Sequence, residues 1–329
     1  MEHAVRLQGL RKTFGTKVAV DHLDLEIKQG ELVGLIGPNG AGKTTSIRML
    51  MSILFPDSGT IEVLGKSSAI LAKDRIGYLP EERGVYRKMR VGGFIEYMAK
   101  LKGIAPGPTL RSRITDWLER VELGDCLKKR CEDLSKGMQQ KVQFIATIIH
   151  DPELIILDEP FSGLDPVNMR LLRDLFLEQH NAGKTMIFST HVMHQAEQLC
   201  DRIAMISDGR LVLDDSLTSV RRRETSSTVL VNLDTDHTKP THDEVEQATT
   251  KLTQLSCVNQ VHTGSADTET KADLLVTLND GSGHADAIRA IASTVEARRV
   301  ELKELSLEEV FIRLAKSKQP AHELAGVSA

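Results

Sequence analysis

Gly37-Pro38-Asn39-Gly40-Ala41-Gly42-Lys43-Thr44 fits the pattern G-x-x-x-x-G-K-[ST] in full. Glycines let a backbone wrap with its N–H groups turned inward. A helix starting at the same place adds partial positive charge, so such a loop suits a polyphosphate. Lys43 can reach the β- and γ-phosphates, and the Thr44 hydroxyl can ligate Mg²⁺. Further on, the apolar run Leu154-Ile155-Ile156-Leu157 ends in Asp158-Glu159. An acid at the carboxyl end of a buried strand stands beside the phosphate loop, where Asp158 can hold Mg²⁺ through water. Glu159 is placed to polarise an attacking water as a general base. The loop, with a buried strand before it and a helix after it, marks a triphosphate site by itself; an Asp-Glu pair after an apolar run is weak evidence alone and strong beside that loop.

The elements that must position these residues follow from patterning. Val5 to Leu10 and Val18 to Ile27 read as strands. Leu32 to Ile36 is an almost continuous apolar run, as in a parallel strand covered on both faces, and helix formers take over from Thr45 to Met51. Leu154 to Leu157 and Thr185 to Ser189 restore strand texture, with a helix between them over Leu171 to Glu178 closed by Asn181-Ala182-Gly183. From Gly77 to Leu134 the texture is helical, with Gly and Pro but no good strand, and Ile114, Trp117, Leu118 and Val121 form one packed face. The expectation is an α/β core interrupted by a helical insertion.

A second unit begins near Arg221-Arg222-Arg223, a solvated helix end or linker rather than a basic binding patch. Val229, Val231 and Leu233 alternate as a strand, and Val245, Ala248, Leu252 and Leu255 recur at helix spacing. Strands near Val258 to His262 and Leu274 to Leu278, a helix carrying Ala285, Ile288, Ile291 and Val295, and a last strand over Val300 to Leu305 complete the order βαββαβ. That order predicts a small ferredoxin-like α+β module. Ser306 and Glu309 then form a capping box opening a final helix through Leu314. The expected divisions are 1–222, with a helical subdomain at about 81–135, then 223–316, and a flexible polar tail at 317–329.

Composition narrows the functions. With 329 residues, 40% hydrophobic and 27% charged, the chain can bury full cores and is neither collagen, disulfide scaffold nor disordered chain. A net charge of −4 and 4% aromatics argue against a protein that grips nucleic acid by bulk charge and base stacking. Cys126, Cys131, Cys200 and Cys257 lack metal-site spacing and read as free thiols in a reducing compartment. The first residues have no signal-peptide core and no apolar run is long enough to span a bilayer, so membrane contact is expected through a partner.

The ordered set of motifs resembles the ATP-binding subunits of ABC transporters. Leu134-Ser135-Lys136-Gly137-Met138 is similar to the signature motif, Ser162-Gly163-Leu164-Asp165 to the D-loop, and His191 after Ile187-Phe188-Ser189-Thr190 to the switch histidine. Phe14 stands where the family stacks an aromatic ring on adenine. The likeness covers about residues 4 to 220. It implies that Gly37, Pro38, Asn39, Gly40, Ala41, Gly42, Lys43, Thr44 and Thr45 hold ATP, that Thr44 and Asp158 hold Mg²⁺, and that Glu159, His191 and Lys43 serve catalysis. It further implies that His191 meets the γ-phosphate, and that Ser135 and Gly137 approach the γ-phosphate bound to the opposite subunit.

There are three departures. Lys136 and Met138 replace the usual Gly and Gln of the signature. Glu81, after Gly77-Tyr78-Leu79-Pro80, replaces the usual Gln, keeping one oxygen to face Mg²⁺ and water but losing the amide donor. Phe14 replaces the commoner Tyr. These features, with the closing Ser306-Leu307-Glu308-Glu309-Val310-Phe311, resemble an exporter-type subgroup that includes sodium-efflux and drug-resistance ATPases. The resemblance implies a dimer, expected to be of two identical chains, closing around two Mg-ATP. It implies a separately encoded permease docked on the insertion, and a cytoplasmic protein peripheral to the inner face of the membrane. The competing reading is a soluble ABC-type ATPase acting on nucleic acid or ribosomes. It fits less well, because the chain carries one cassette and no long coiled-coil insertion.

Overall fold

The computed structural model describes residues 3–82, 84–223, 227–234, 240–263, 272–279, 281–303 and 306–317. The chain forms two compact units: the first runs to Thr218 and takes up again, among the described residues, at 314–317, and the second covers Ser219–Arg313. In chain order the first contains strands β1 (His3–Phe14), β2 (Lys17–Lys28) and β3 (Leu32–Ile36), helix α1 (Lys43–Leu50), and strands β4 (Ser58–Val63) and β5 (Ile76–Leu79). Helices α2 (Val91–Leu101), α3 (Pro108–Arg120) and α4 (Lys136–Ile148) follow, then β6 (Leu154–Asp158), α5 (Pro166–Asn181), β7 (Thr185–Thr190), α6 (Met193–Leu199), β8 (Arg202–Ser207) and β9 (Arg210–Ser216). Helix α7 (Leu217–Arg223) crosses the division between the units.

Six strands form the central sheet in the order β5-β6-β7-β3-β8-β9. All neighbours are parallel except the antiparallel edge pair β8 and β9. Every residue of β3 and β6 is buried, as strands covered on both faces require. Because β7 lies between β6 and β3, Asp158 is level with Ser189, and Ile36 with Thr190. The carboxyl ends of three strands therefore open on one edge, where doubly wound sheets bind ligands. A second, antiparallel sheet, β2-β1-β4, shares a core with the first through Leu7, Leu25, Ile47, Ile156 and Ile187.

Strand β5 corrects the expectation of no strand between Gly77 and Leu134. It has only four residues, with a glycine at the second. That glycine is forced by packing: a Cβ at Gly77 would lie 2.5 Å from the carbonyl oxygen of Thr147 on α4. Trp117 departs from the expected core face as well. Ile114, Leu118 and Val121 are buried, but the Trp117 ring is half-buried, edge-on to Phe144 at 6.5 Å and faced by the Arg120 guanidinium at 4.1 Å.

The second unit contains β10 (Thr228–Leu233), α8 (His242–Thr253), β11 (Val258–Thr263), β12 (Leu274–Leu278), α9 (His284–Thr294) and β13 (Ala297–Leu302). Its antiparallel sheet runs β11-β12-β10-β13, the strand order of a ferredoxin-like module. Val229, Val231, Leu274 and Val276 face Leu252 of α8 and Ile291 of α9 in a core of its own. Thr241 and Glu244 cap α8 reciprocally, and Ser306 and Glu309 do the same for α10 (Leu307–Ser317). Residues 304 and 305 of the expected last strand, and the expected tail beyond Ser317, lie outside the described residues.

Candidate functional site: a phosphate loop facing paired carboxylates

The loop from β3 to α1 is held so tightly that two glycines are obligatory. At Gly37 (φ 152°) a Cβ would lie 2.1 Å from the Ile206 carbonyl oxygen, and at Gly42 (φ 112°) 2.6 Å from that of Ala19. Lys43, first residue of α1, turns back over the loop and donates to the carbonyls of Gly37 at 2.7 Å and Pro38 at 3.2 Å. Its ammonium is 3.7 Å from Glu159 Oε1. Burial pulls the Lys43 pKa down, opposed by the nearby charges of Glu159, Asp158 and Glu81.

Asp158 ends β6 and is fully buried. Its Oδ1 accepts from Thr44 Oγ1 at 3.3 Å and from Ser189 Oγ at the end of β7. Its Oδ2 is buried with no partner among the described residues. Burial pushes the Asp158 carboxyl up, while the Ser189 and Thr44 hydrogen bonds pull it down. The next residue, Glu159, adopts the left-handed backbone conformation (φ 48°), which is uncommon for a residue with a side chain. Its N–H reaches both Ser189 Oγ at 3.1 Å and Ser189 O at 3.2 Å. Its Oε1 lies 2.9 Å from His191 Nδ1.

Lys43, Thr44, Asp158, Glu159 and His191 are thus one connected cluster. Beside it opens a cleft of ≈ 420 Å³ lined by Asn39, Gly40, Ala41, Gly42, Lys43, Thr44 and Thr45, together with Phe14, Lys17, Ala19, Glu81 and Glu159. Phe14 is 51% exposed and presents its ring there, with Lys12 Nζ 5.8 Å from the ring centroid. Ser135 and Gly137 are not part of the lining. They open α4, where the Ser135 hydroxyl accepts from the Met138 N–H at 3.3 Å, and a Cβ at Gly137 would lie 3.2 Å from Asn168 Nδ2. Asp165 of the D-loop-like segment caps α5, accepting from the N–H groups of Val167 and Asn168 at 3.0 Å each.

Sequence reasoning did not single out Ser189, the hydroxyl that joins Asp158 to Glu159, or Lys17 in the cleft. The only sequence signal for Ser189 is a hydroxyl at the end of a buried strand two residues before His191. Among the described residues no helix is long and apolar enough to cross a membrane.

With this geometry in place, the chain's likenesses become informative. The ABC transporter family model matches residues 20–162. The uncharacterized ABC transporter ATP-binding protein YhaQ of Bacillus subtilis is 44% identical over 225 residues, 68% of this chain and 75% of that protein. The Nod factor export ATP-binding protein I of Ralstonia nicotianae is 34% identical over 209 residues, 63% of this chain and 65% of that one. A solved ATP-binding subunit of an ABC transporter superposes with a TM-score of 0.62 at 28% identity, covering 67% of this chain and 92% of the other. A P-loop fold of ABC type with an assembled nucleotide cleft defines the class, an ATP-hydrolysing subunit. The chain belongs to the ATP-binding proteins of ABC transporters, and its activity is ATP hydrolysis coupled to transport.

Proposed function

We propose that two copies of this chain close around two Mg-ATP and drive a separate membrane-spanning permease in the direction of export. The convergence of Lys43, Thr44, Asp158, Glu159 and His191 on one end of the cleft carries this reading. The Gly37–Thr45 loop and Lys43 hold the phosphates, and Phe14 stacks on adenine at the open end. Mg²⁺ fits the donors present: Asp158 Oδ2 is a buried oxygen without a partner, beside the Thr44 hydroxyl. Thr44 and Asp158 would hold the ion, with Glu81 contributing an oxygen from the cleft wall. When bound it neutralises charge on the β- and γ-phosphate oxygens. Glu159 accepts a proton from the attacking water, held in place by His191 and by its own N–H bonds to Ser189.

Ser135 and Gly137 stand outside the cleft of their own chain, in keeping with service to the nucleotide of a second copy. Closure of the two copies then depends on γ-phosphate contacts that hydrolysis removes, which is the force-producing step. The permease docks on the helical insertion, with Glu81 at its hinge, and keeps the chain at the inner face of the membrane. The export direction rests on relatives whose names include Nod factor export. The ATPase domain covers 1–222 and a C-terminal domain over 223–316 braces the dimer.

Glu159→Gln is the direct test. It should keep Mg-ATP binding, trap the dimer in light scattering, and lower turnover by about 10²-fold or more, the usual contribution of a positioned base. Undiminished hydrolysis would remove Glu159 from this role, and a monomer with ATP bound would remove the dimer.

A further inference from the structure

Helix α4 carries a glutamine amide into the interior, among side chains that are otherwise apolar. Gln140 is buried, and Val142, Phe144 and Ile145 on the same helix are buried completely. Its Nε2 donates to the Pro160 carbonyl at 2.9 Å. Proline has no N–H, so this carbonyl is the one polar backbone group by which Pro160 can be held. Pro160 directly follows Glu159, whose left-handed backbone persists only where its surroundings fix it. On one side the Glu159 N–H is bonded to Ser189; on the other the Glu159 carbonyl accepts from the Ser162 N–H at 3.1 Å. The Gln140 bond fixes the next carbonyl along. The turn that aims the Glu159 carboxylate is therefore gripped by β7 and by α4 together.

α4 touches the same stretch of chain a second time, at its first turn. A Cβ on Gly137 would lie 3.5 Å from Leu164 Cδ2 as well as close to Asn168. Ser135 caps this end of the helix. From Ser135 to Gln140 is five residues of helix, about 7.5 Å along the axis. A helix moves as a rigid element, and a hydrogen bond weakens steeply once its alignment is lost. Any shift of the Ser135–Gly137 end is thus delivered through Gln140 to the residue beside the catalytic carboxylate.

We propose that Gln140 is a positioning residue. It passes to Glu159 of its own chain the engagement of Ser135 and Gly137 by the nucleotide of a second copy, so that each base is set only when the opposite site is filled. This rests on the reading that the Ser135–Gly137 end of α4 serves the other subunit. Gln140→Met keeps the side-chain length and loses the donor. It should bind Mg-ATP in calorimetry like the parent, lower kcat by about tenfold with KM changed less than about twofold, and bring the Hill coefficient for ATP down to 1. Trp117 fluorescence checks that α4 is still packed, because the ring lies against Phe144. Thr147→Val removes another buried polar group of α4, whose hydroxyl bonds Gln143 O at 2.9 Å. It should lower the midpoint of the fluorescence transition and leave kcat and the Hill coefficient as in the parent. Parental kcat or cooperativity in Gln140→Met, or the same losses in Thr147→Val, would overturn the proposal. Failure of the underlying reading looks different: Glu159→Gln would stay monomeric with Mg-ATP in light scattering, and the parent itself would show no cooperativity.

Discussion

Ser189 is the residue through which the two carboxylates of the site are tied together. Its single proton goes to Asp158, which turns a lone pair toward the Glu159 N–H. Replacing it by alanine removes one of the bonds that favour ionised Asp158 and one of the two that hold Glu159 in its left-handed backbone. A lost buried hydrogen bond costs about 1–3 kcal/mol, so Ser189→Ala should lower kcat by about tenfold. KM for Mg-ATP should change little, because the phosphate loop is untouched. The sign of the pH effect follows from the same bond. Losing a donor to the charged form raises the Asp158 pKa, so the acidic limb of the pH–rate profile should move to higher pH, and Ser189→Thr, which keeps the hydroxyl, should restore it. An unchanged kcat and profile would make Ser189 ordinary strand packing. The phosphate loop and Asp158-Glu159 were legible in the sequence because their spacing is dictated by the anion they serve. Ser189 was not, since a serine in an apolar strand carries no signature until the neighbouring strand supplies the carboxylate.

At the scale of elements, four strands of the first unit escaped the sequence reading: β8, although its four central residues are buried, and three others whose burial is lopsided or interrupted. β4 and β9 each expose much of their length, so no clean apolar alternation marks them. β5 is broken by Gly77, whose small size answers to α4 rather than to strand propensity. That same edge of the sheet carries a buried titratable group. His150, just after α4, lies with Nε2 3.1 Å from Ile76 O, the carbonyl that also accepts from Lys102 Nζ at 2.8 Å. A carbonyl only accepts, so Nε2 carries the proton and the buried Nδ1 is left without a partner among the described residues. Burial, with Lys102 and Arg113 nearby, pushes the His150 pKa from 6.5 down to about 4. The folded state therefore refuses a proton that the unfolded chain takes up below pH ~6.5. This group's contribution is complete above that pH and is lost at ~1.4 kcal/mol per unit as pH falls toward 4. Denaturant titrations of the full chain between those limits should show a shallower acid loss in His150→Gln, whose amide can still donate to Ile76 O. Parallel slopes for the two proteins would mean that His150 titrates normally.

For the whole molecule, the decisive feature among the described residues is that each compact unit has a hydrophobic core of its own, while the nucleotide cleft belongs to the first. A ligand that binds only the folded first unit stabilises that unit by RT ln(1 + [L]/Kd), ~2.7 kcal/mol at a hundredfold excess over Kd. The chain's single tryptophan, Trp117, sits on α3 of the first unit against Phe144, so its fluorescence reports that unit alone. Circular dichroism reports helices and strands of both. With Glu159→Gln to prevent turnover, Mg-ATP should raise the midpoint of the tryptophan transition by roughly 5–10 °C, the shift expected for a unit of this size. The dichroism curve should resolve into two steps, of which only the one coincident with fluorescence moves. The second step should respond instead to substitutions in its own core, such as Ile291→Ala, which removes a fully buried side chain of that core at a cost of about 2–5 kcal/mol. If nucleotide displaced both steps equally, the two cores would be unfolding as one cooperative body, and binding energy at the phosphate loop would then be available to the C-terminal unit as well.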